Sequence, residues 1–302
     1  MYYVKNCVRF MLLVICGLLL ITGVVGAYDL DIADCNAALS MATQGDADAQ
    51  INLGYCYSHG IGVTKDELQA IYWYTKAAEQ GNVYAQYNLG YCYSHGIGVA
   101  KDELKAVYWY TKAAEQGDAD AQYILGVCYE YGIGVVKDEL KAVYWYTKAA
   151  EQGNASAQND LGVCYEYGIG VAKDELPAAY WYMKAAEQGN VYAQYNLGRC
   201  YQHGIGVAQN EEKAVYWYTK AAEQGYADAY AALVAQDDFD VTFIESFITD
   251  LAYAGASDLA SDLIYTSLFG EDYARQGPSH VERLLTDLAI NTAYDFIDEM
   301  FR

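Results

Sequence analysis

Between residues 46 and 225 the same order of apolar and polar positions returns every 36 residues, in units that end at Gly81, Gly117, Gly153, Gly189 and Gly225. The opening unit is DADAQINLGYCYSHGIGVTKDELQAIYWYTKAAEQG. Self-similarity at a period of this size marks a solenoid, because no single unit can bury its apolar face alone. Each unit predicts two helices. Asp46 caps the first, accepting from the open N–H groups of its initial turn, and Gly60 stops it. The segment Gly60-Ile61-Gly62-Val63 turns the chain, where glycine takes a positive φ without strain. Asp66 caps the second helix, which ends at Gly81. Its counterparts Asp102, Asp138, Asp174 and Asn210 all keep a capping side chain. Pro177 falls at the third helical position after Asp174, where a missing N–H costs little.

Comparing the repeats with one another divides the first helix into two faces. At about 100° per residue, Ala49, Gln50, Leu53, Gly54, Cys56, Tyr57 and Gly60 share an arc roughly 160° wide and do not vary between repeats. This arc is expected to be packing surface, with small Ala49 and Gly54 letting neighbouring helices approach. Positions 48, 51, 52, 55, 58 and 59 occupy the opposite arc and do vary. That arc supplies the candidate partner-binding residues. They are Tyr55 and His59, then Tyr84, Tyr87, Asn88, Tyr91 and His95, then Tyr123, Tyr131 and Tyr167, and finally Tyr192, Tyr195, Asn196, Arg199 and His203. Tyrosine, asparagine and histidine offer contact area at low entropic cost together with adaptable hydrogen bonds. On this reading, truncating Tyr87, Tyr91 and Tyr195 removes binding and spares stability. Second helices barely change, and Tyr72-Trp73-Tyr74 is expected to pack rather than to form a sugar platform.

The pattern A-x-x-x-L-G-x-x-Y-x-x-G-x-G-V, followed by D-x-x-x-A-x-x-W-x-x-K-A-A-E-Q-G, resembles the Sel1-like repeat family over residues 46–225 without a gap. The resemblance implies an all-α fold, a right-handed solenoid of helix-pair repeats with helical caps, whose first helices line a concave groove. It also implies a non-catalytic adaptor that holds a protein or peptide partner, in envelope regulation or host interaction. A glycan-binding scaffold of the cell envelope is the alternative, followed by a cell-wall or β-lactam-related enzyme. Cysteine-rich members of the family pair two cysteines within each repeat, whereas this chain has one per repeat, so that disulfide ladder is absent.

The ends differ from the repeats. Residues 1–27 form a targeting segment, with Lys5 and Arg9 before an uncharged run that closes on Val25-Gly26-Ala27. Cleavage after it gives an exported protein, periplasmic or secreted; left uncleaved, it is a membrane anchor. Ile15 is too bulky before Cys16 for a lipid-attachment signal. Residues 28–45 hold half a repeat, a lone second helix suited to capping. Cys35 takes the place of Ile71 and Val107 and lies ten residues before Gly45, with Cys56 eleven after it. Two antiparallel helices joined at Gly45 put both sulfurs at one height, which allows either a disulfide or two unpaired core thiols. The five repeat cysteines, Cys56, Cys92, Cys128, Cys164 and Cys200, are expected to be buried thiols. Residues 226–302 predict an acidic helical cap or small helical domain, with capping boxes at Thr242-Phe243-Ile244-Glu245 and Ser279-His280-Val281-Glu282.

Charge narrows the partners. The chain of 302 residues carries a formal charge of −22, which repels phosphate backbones and argues against nucleic acid. Catalysis needs a nucleophile beside a base, a carboxylate pair or a metal. Only four histidines occur, three of them (His59, His95 and His203) at one repeat position. No catalytic residue, metal site or cofactor is expected. Asn154-Ala155-Ser156 fits a glycosylation acceptor, but Asn154 is placed as a helix cap.

Overall fold

The computed structural model describes residues 32–234, with side chains described over 35–233, and it divides the chain into units of residues 1–173 and 174–302. The first unit holds α1 (Ile32–Thr43), α2 (Ala47–His59), α3 (Glu67–Glu79), α4 (Val83–His95), α5 (Glu103–Glu115), α6 (Ala119–Tyr131), α7 (Glu139–Glu151) and α8 (Ala155–Tyr167). The second holds α9 (Glu175–Glu187), α10 (Val191–His203), α11 (Glu211–Glu223) and α12 (Ala227–Val234). Among the described residues every element is helical, and within each unit consecutive helices pack in pairs.

Local chemistry sets the helix ends. Asp46 accepts from the Ala49 N–H at 2.7 Å, and Asp66 accepts from the Gln69 N–H at 3.1 Å. Gly60 ends α2 in the left-handed region at φ 73°, donating its N–H to the Cys56 carbonyl. Asp174 accepts instead from Leu176, one residue earlier than its counterparts. Pro177 occupies the position that would otherwise donate, so the cap moves to the nearest available N–H. Asn154 caps α8 through Ala157, and its Nδ2 donates to Asp120 at 2.8 Å.

The invariant arc of the first helices is interior at Ala49, Gln50, Leu53, Gly54 and Cys56, with Tyr57 half-buried and Gly60 exposed. Leu53, Leu89, Leu125 and Leu197 are fully buried, Leu89 packing in one cluster with Tyr74 of the second helices and Leu125 with Tyr110. A Cβ on Gly54 would lie 2.6 Å from the Tyr74 ring, so glycine here permits a close ring-on-helix contact. Gly98, at φ +65°, brings its loop against the Glu67 carbonyl of the preceding repeat, where a Cβ would lie 2.5 Å away. Buried glutamines join successive repeats. Gln50 donates to the Ala42 carbonyl at 3.1 Å and accepts from Gln80 at 2.8 Å; Gln86 donates to Ala78 and accepts from Gln116 in the same way. A buried amide must be paired, since an unmet one costs about 1–3 kcal/mol. That requirement explains why this pair of glutamines does not vary.

At the N-terminal end Ala38 and Ala42 of α1 pack on Ala49 and Leu53. Cys35 and Cys56 form a disulfide with their α-carbons 6.0 Å apart, so of the two states left open by the sequence the bonded one is found. Cys56 is therefore not a thiol, which corrects that part of the expectation for the repeat cysteines. Cys92, Cys128, Cys164 and Cys200 are buried thiols. Burial pushes Cys92 and Cys128 up to about 12, because a thiolate there would be stripped of water.

The tyrosines of the second helix part company. Tyr74 is core, while Tyr72, Tyr108 and Tyr144 are about half exposed, each edge-on to the adjacent tryptophan. Packing thus accounts for Tyr74 and does not account for Tyr72. The targeting segment, 28–31 of the half-repeat and the helices expected beyond residue 234 lie outside the described residues.

Candidate functional site

The variable arc of the first helices is built on the second helices beneath it. In the first repeat the Tyr55 ring stacks on His59 with centroids 4.0 Å apart. His59 Nδ1 lies 2.7 Å from Ser58 Oγ and 3.1 Å from the Tyr55 carbonyl, and Ser58 Oγ lies 3.2 Å from the Tyr74 hydroxyl. The second repeat reproduces this with Tyr91, His95, Ser94 and Tyr110. A buried hydroxyl thus anchors the serine, and the serine in turn holds the exposed imidazole.

The third and fourth repeats change the chemistry on the same scaffold. Glu130 replaces the serine and accepts from the Tyr146 hydroxyl at 2.6 Å, while Tyr131 replaces the histidine. One turn into α8, Asn159 Nδ2 donates to Asp160 Oδ1 at 3.0 Å, and the Tyr123 hydroxyl also bonds Asp160. Burial pushes the Asp160 carboxyl up to about 7, and the nearby charge of Glu130 adds to the rise. Burial likewise raises Asp120, against the hydrogen bond from Asn154. The fifth repeat, in the second unit, has Gln202 accepting from the Tyr218 hydroxyl at 2.7 Å. Tyr74, Tyr110, Tyr146 and Tyr218 thus each keep a polar partner sixteen residues before them, and that partner's chemistry changes along the chain.

The expected binding residues fall into three groups. His59, Tyr84, His95, Tyr131 and Tyr167 are exposed in the first unit, and His203 is exposed in the second. Tyr55, Asn88, Tyr91, Tyr123, Tyr192, Tyr195, Asn196 and Arg199 are half-buried. Tyr195 lies with its ring 5.6 Å from Tyr218 and 5.1 Å from Tyr226, and Tyr192 lies edge-on to Tyr226. Tyr87 is core at 7% exposure, its ring 5.7 Å from Tyr110, and Ile51 and Asn159 at the same repeat position are buried as well. The variable arc is therefore not all surface. The position varies because the tyrosine beneath it accepts aliphatic, aromatic or amide neighbours. Truncating Tyr87 must then cost stability, which corrects the expectation that it would not.

Sequence reasoning passed over Asp160, which takes the place of Asn52 and Asn88. The replacement of an amide by a carboxylate was the available signal. Among the described residues no group of three or more His, Cys, Asp or Glu is arranged to hold a metal ion.

Comparison with known proteins finds the Sel1 repeat at residues 47–82, 83–118, 119–154, 155–190 and 191–226. A crystal structure of a Sel1 repeat protein from Oxalobacter formigenes is 42% identical, with a TM-score of 0.59 over 63% of this chain and 76% of that one. A protective antigen of uropathogenic Escherichia coli strains, displaying an SLR fold, is 40% identical with a TM-score of 0.67 over 73% of this chain. This chain spans about half of that antigen, 49% of its length. A search of curated proteins found no match.

Proposed function

The chain belongs to the Sel1 repeat family, and from that premise we propose that it is an exported, non-catalytic adaptor that holds a protein or peptide partner on the variable face of its first helices. Sel1 repeats form scaffolds that commonly serve protein interaction; the exported setting and the location of the partner are the proposal. The observation that carries it is the exposed aromatic row His59, His95, Tyr131 and Tyr167, which stands on an unvarying core. Rings at these positions contribute nothing to that core, yet each repeat retains one.

The buried Cys35–Cys56 bond supports export, since such bonds persist in oxidising compartments and are rare in the cytosol. Among the described residues no helix is long and apolar enough to cross a membrane. Capture of the partner by the full chain, followed by mass spectrometry, tests the reading. The variant Tyr131→Ala/Tyr167→Ala should retain its melting temperature and lose the partner. A partner retained at parental affinity would exclude this face.

A glycan-binding scaffold is the second reading, favoured by the half-exposed Tyr72, Tyr108 and Tyr144 of the second helices. Retention on envelope fractions that survives protease but not glycan digestion would select it.

A further inference from the structure

Charge is sorted between the two kinds of helix in the first unit. Residues 46–60, 82–96, 118–132 and 154–168, which contain its first helices, include no lysine or arginine. Every lysine between residues 46 and 173 lies on a second helix or in the loop before one. The variable face instead carries Asp48, Asp120, Glu130 and Asp160 beside its tyrosines. The side-chain donors that reach these carboxylates are neutral: Asn82 to Asp48 at 3.0 Å, Asn154 to Asp120, Tyr146 and Tyr131 to Glu130, and Asn159 and Tyr123 to Asp160. A carboxylate has about four lone-pair sites, so one or two neutral donors leave acceptor capacity and charge for a cation.

Two of these carboxylates are not required by the fold. The place of Glu130 is taken by Ser58, Ser94 and Gln202, each still meeting the hydroxyl of its buried tyrosine. The place of Asp160 is taken by Asn52, Asn88 and Asn196. Neutral side chains thus satisfy the same scaffold, while Glu130 and Asp160 put like charges near one another and raise the cost of ionisation. An arrangement that costs stability and could be relieved by residues already present in sister repeats points to a use outside the fold.

Resting on the adaptor reading, we propose that the first-helix face of residues 46–168 recognises an extended segment of its partner that carries lysine or arginine, the exposed rings covering the alkyl stems and the carboxylates meeting the cationic heads. Such stems lie along apolar surface while their heads stay polar, and an arginine over a tyrosine adds cation–π attraction.

The test uses the full chain and two synthetic peptides, one alternating Gly-Ser with arginine and the other carrying citrulline at every arginine position. The arginine peptide should bind, with affinity falling as salt rises. The citrulline peptide and the variant Glu130→Gln/Asp160→Asn should each bind at least about tenfold more weakly, as loss of close charge pairs predicts. Glu115→Gln/Glu151→Gln removes the same number of charges from exposed ends of second helices and should leave affinity within about twofold. Equal weakening by the two double variants would show diffuse attraction to an acidic protein and overturn the proposal. Equal binding of the two peptides, or none of either, would overturn it too. A partner lost in Tyr131→Ala/Tyr167→Ala but unaffected by Glu130→Gln/Asp160→Asn would leave the adaptor reading intact and remove only the basic segment.

Discussion

Gly90→Ala sets two opposing effects against each other. Alanine in a helix is favoured over glycine by about 1 kcal/mol, so an exposed site would gain stability. At Gly90 the new Cβ would sit 2.8, 2.9 and 3.0 Å from Cδ1, Cε1 and Cγ of Tyr110. Carbon atoms pack at about 3.5–4.0 Å, so the ring would have to retreat by roughly 0.7 Å or more. It has nowhere to go. Tyr110 is buried among Val107, Leu125 and Tyr87, and its hydroxyl lies 3.3 Å from Ser94. Overpacking of this kind costs about 1–3 kcal/mol, and a stretched hydroxyl contact adds about 0.5–1.5 kcal/mol. Sterics therefore outweigh propensity, and a net loss of about 2 kcal/mol is expected. Thermal and urea unfolding followed by far-UV circular dichroism measures it, with Gln69→Ala as an exposed helical control. A Gly90→Ala protein as stable as the parent would refute the close ring-on-helix contact as the basis of the invariant glycine.

Other outcomes follow from the same geometry. Tyr87→Ala should lose about 3 kcal/mol by opening a core cavity, whereas Tyr167→Ala, 60% exposed, should stay within about 0.5 kcal/mol on the same melts. Cys35→Ser should lower stability by about 3 kcal/mol through release of the 21-residue loop, and intact mass of the unreduced parent should show two hydrogens fewer than the reduced form. The Asp160 carboxyl is held above its unfolded range, up to about 7, so ionising it withdraws stability as pH rises from about 4 to 7. Asp160→Asn should then stabilise the fold at pH 8, by up to about 4 kcal/mol for a shift of about three units, and have little effect at pH 4 on the same melts. A gain of equal size at both values would contradict this.

The fold was legible because its instructions are local and repeated. A capping Asp46 or Asp66, a left-handed Gly60 and an unvarying Leu53 need no distant partner to be read. Even the Cys35–Cys56 pairing came within reach by counting residues either side of Gly45, although the count could not orient the two sulfurs. The site was read less well. Variation between repeats does not imply exposure: the position of Tyr87 varies and is buried, because its contact with Tyr110 tolerates several shapes. The glutamine chain through Gln50 and Gln80 was visible as invariance, but its bond to the Ala42 carbonyl crosses a repeat boundary that no single repeat reveals. Asp160 was missed because its character depends on Tyr123 and Glu130, which lie on a different helix.

Site-resolved cross-linking tests the central claim most directly. A photoreactive phenylalanine analogue is placed singly at Tyr131 and Tyr167 on the first helices, and at Tyr108 and Tyr144 on the second helices, all of them exposed. Irradiation of cells producing these chains should give one cross-linked partner from Tyr131 and Tyr167 and none from Tyr108 and Tyr144. The same partner captured from Tyr108 and Tyr144 alone would place recognition on the second helices and contradict the account.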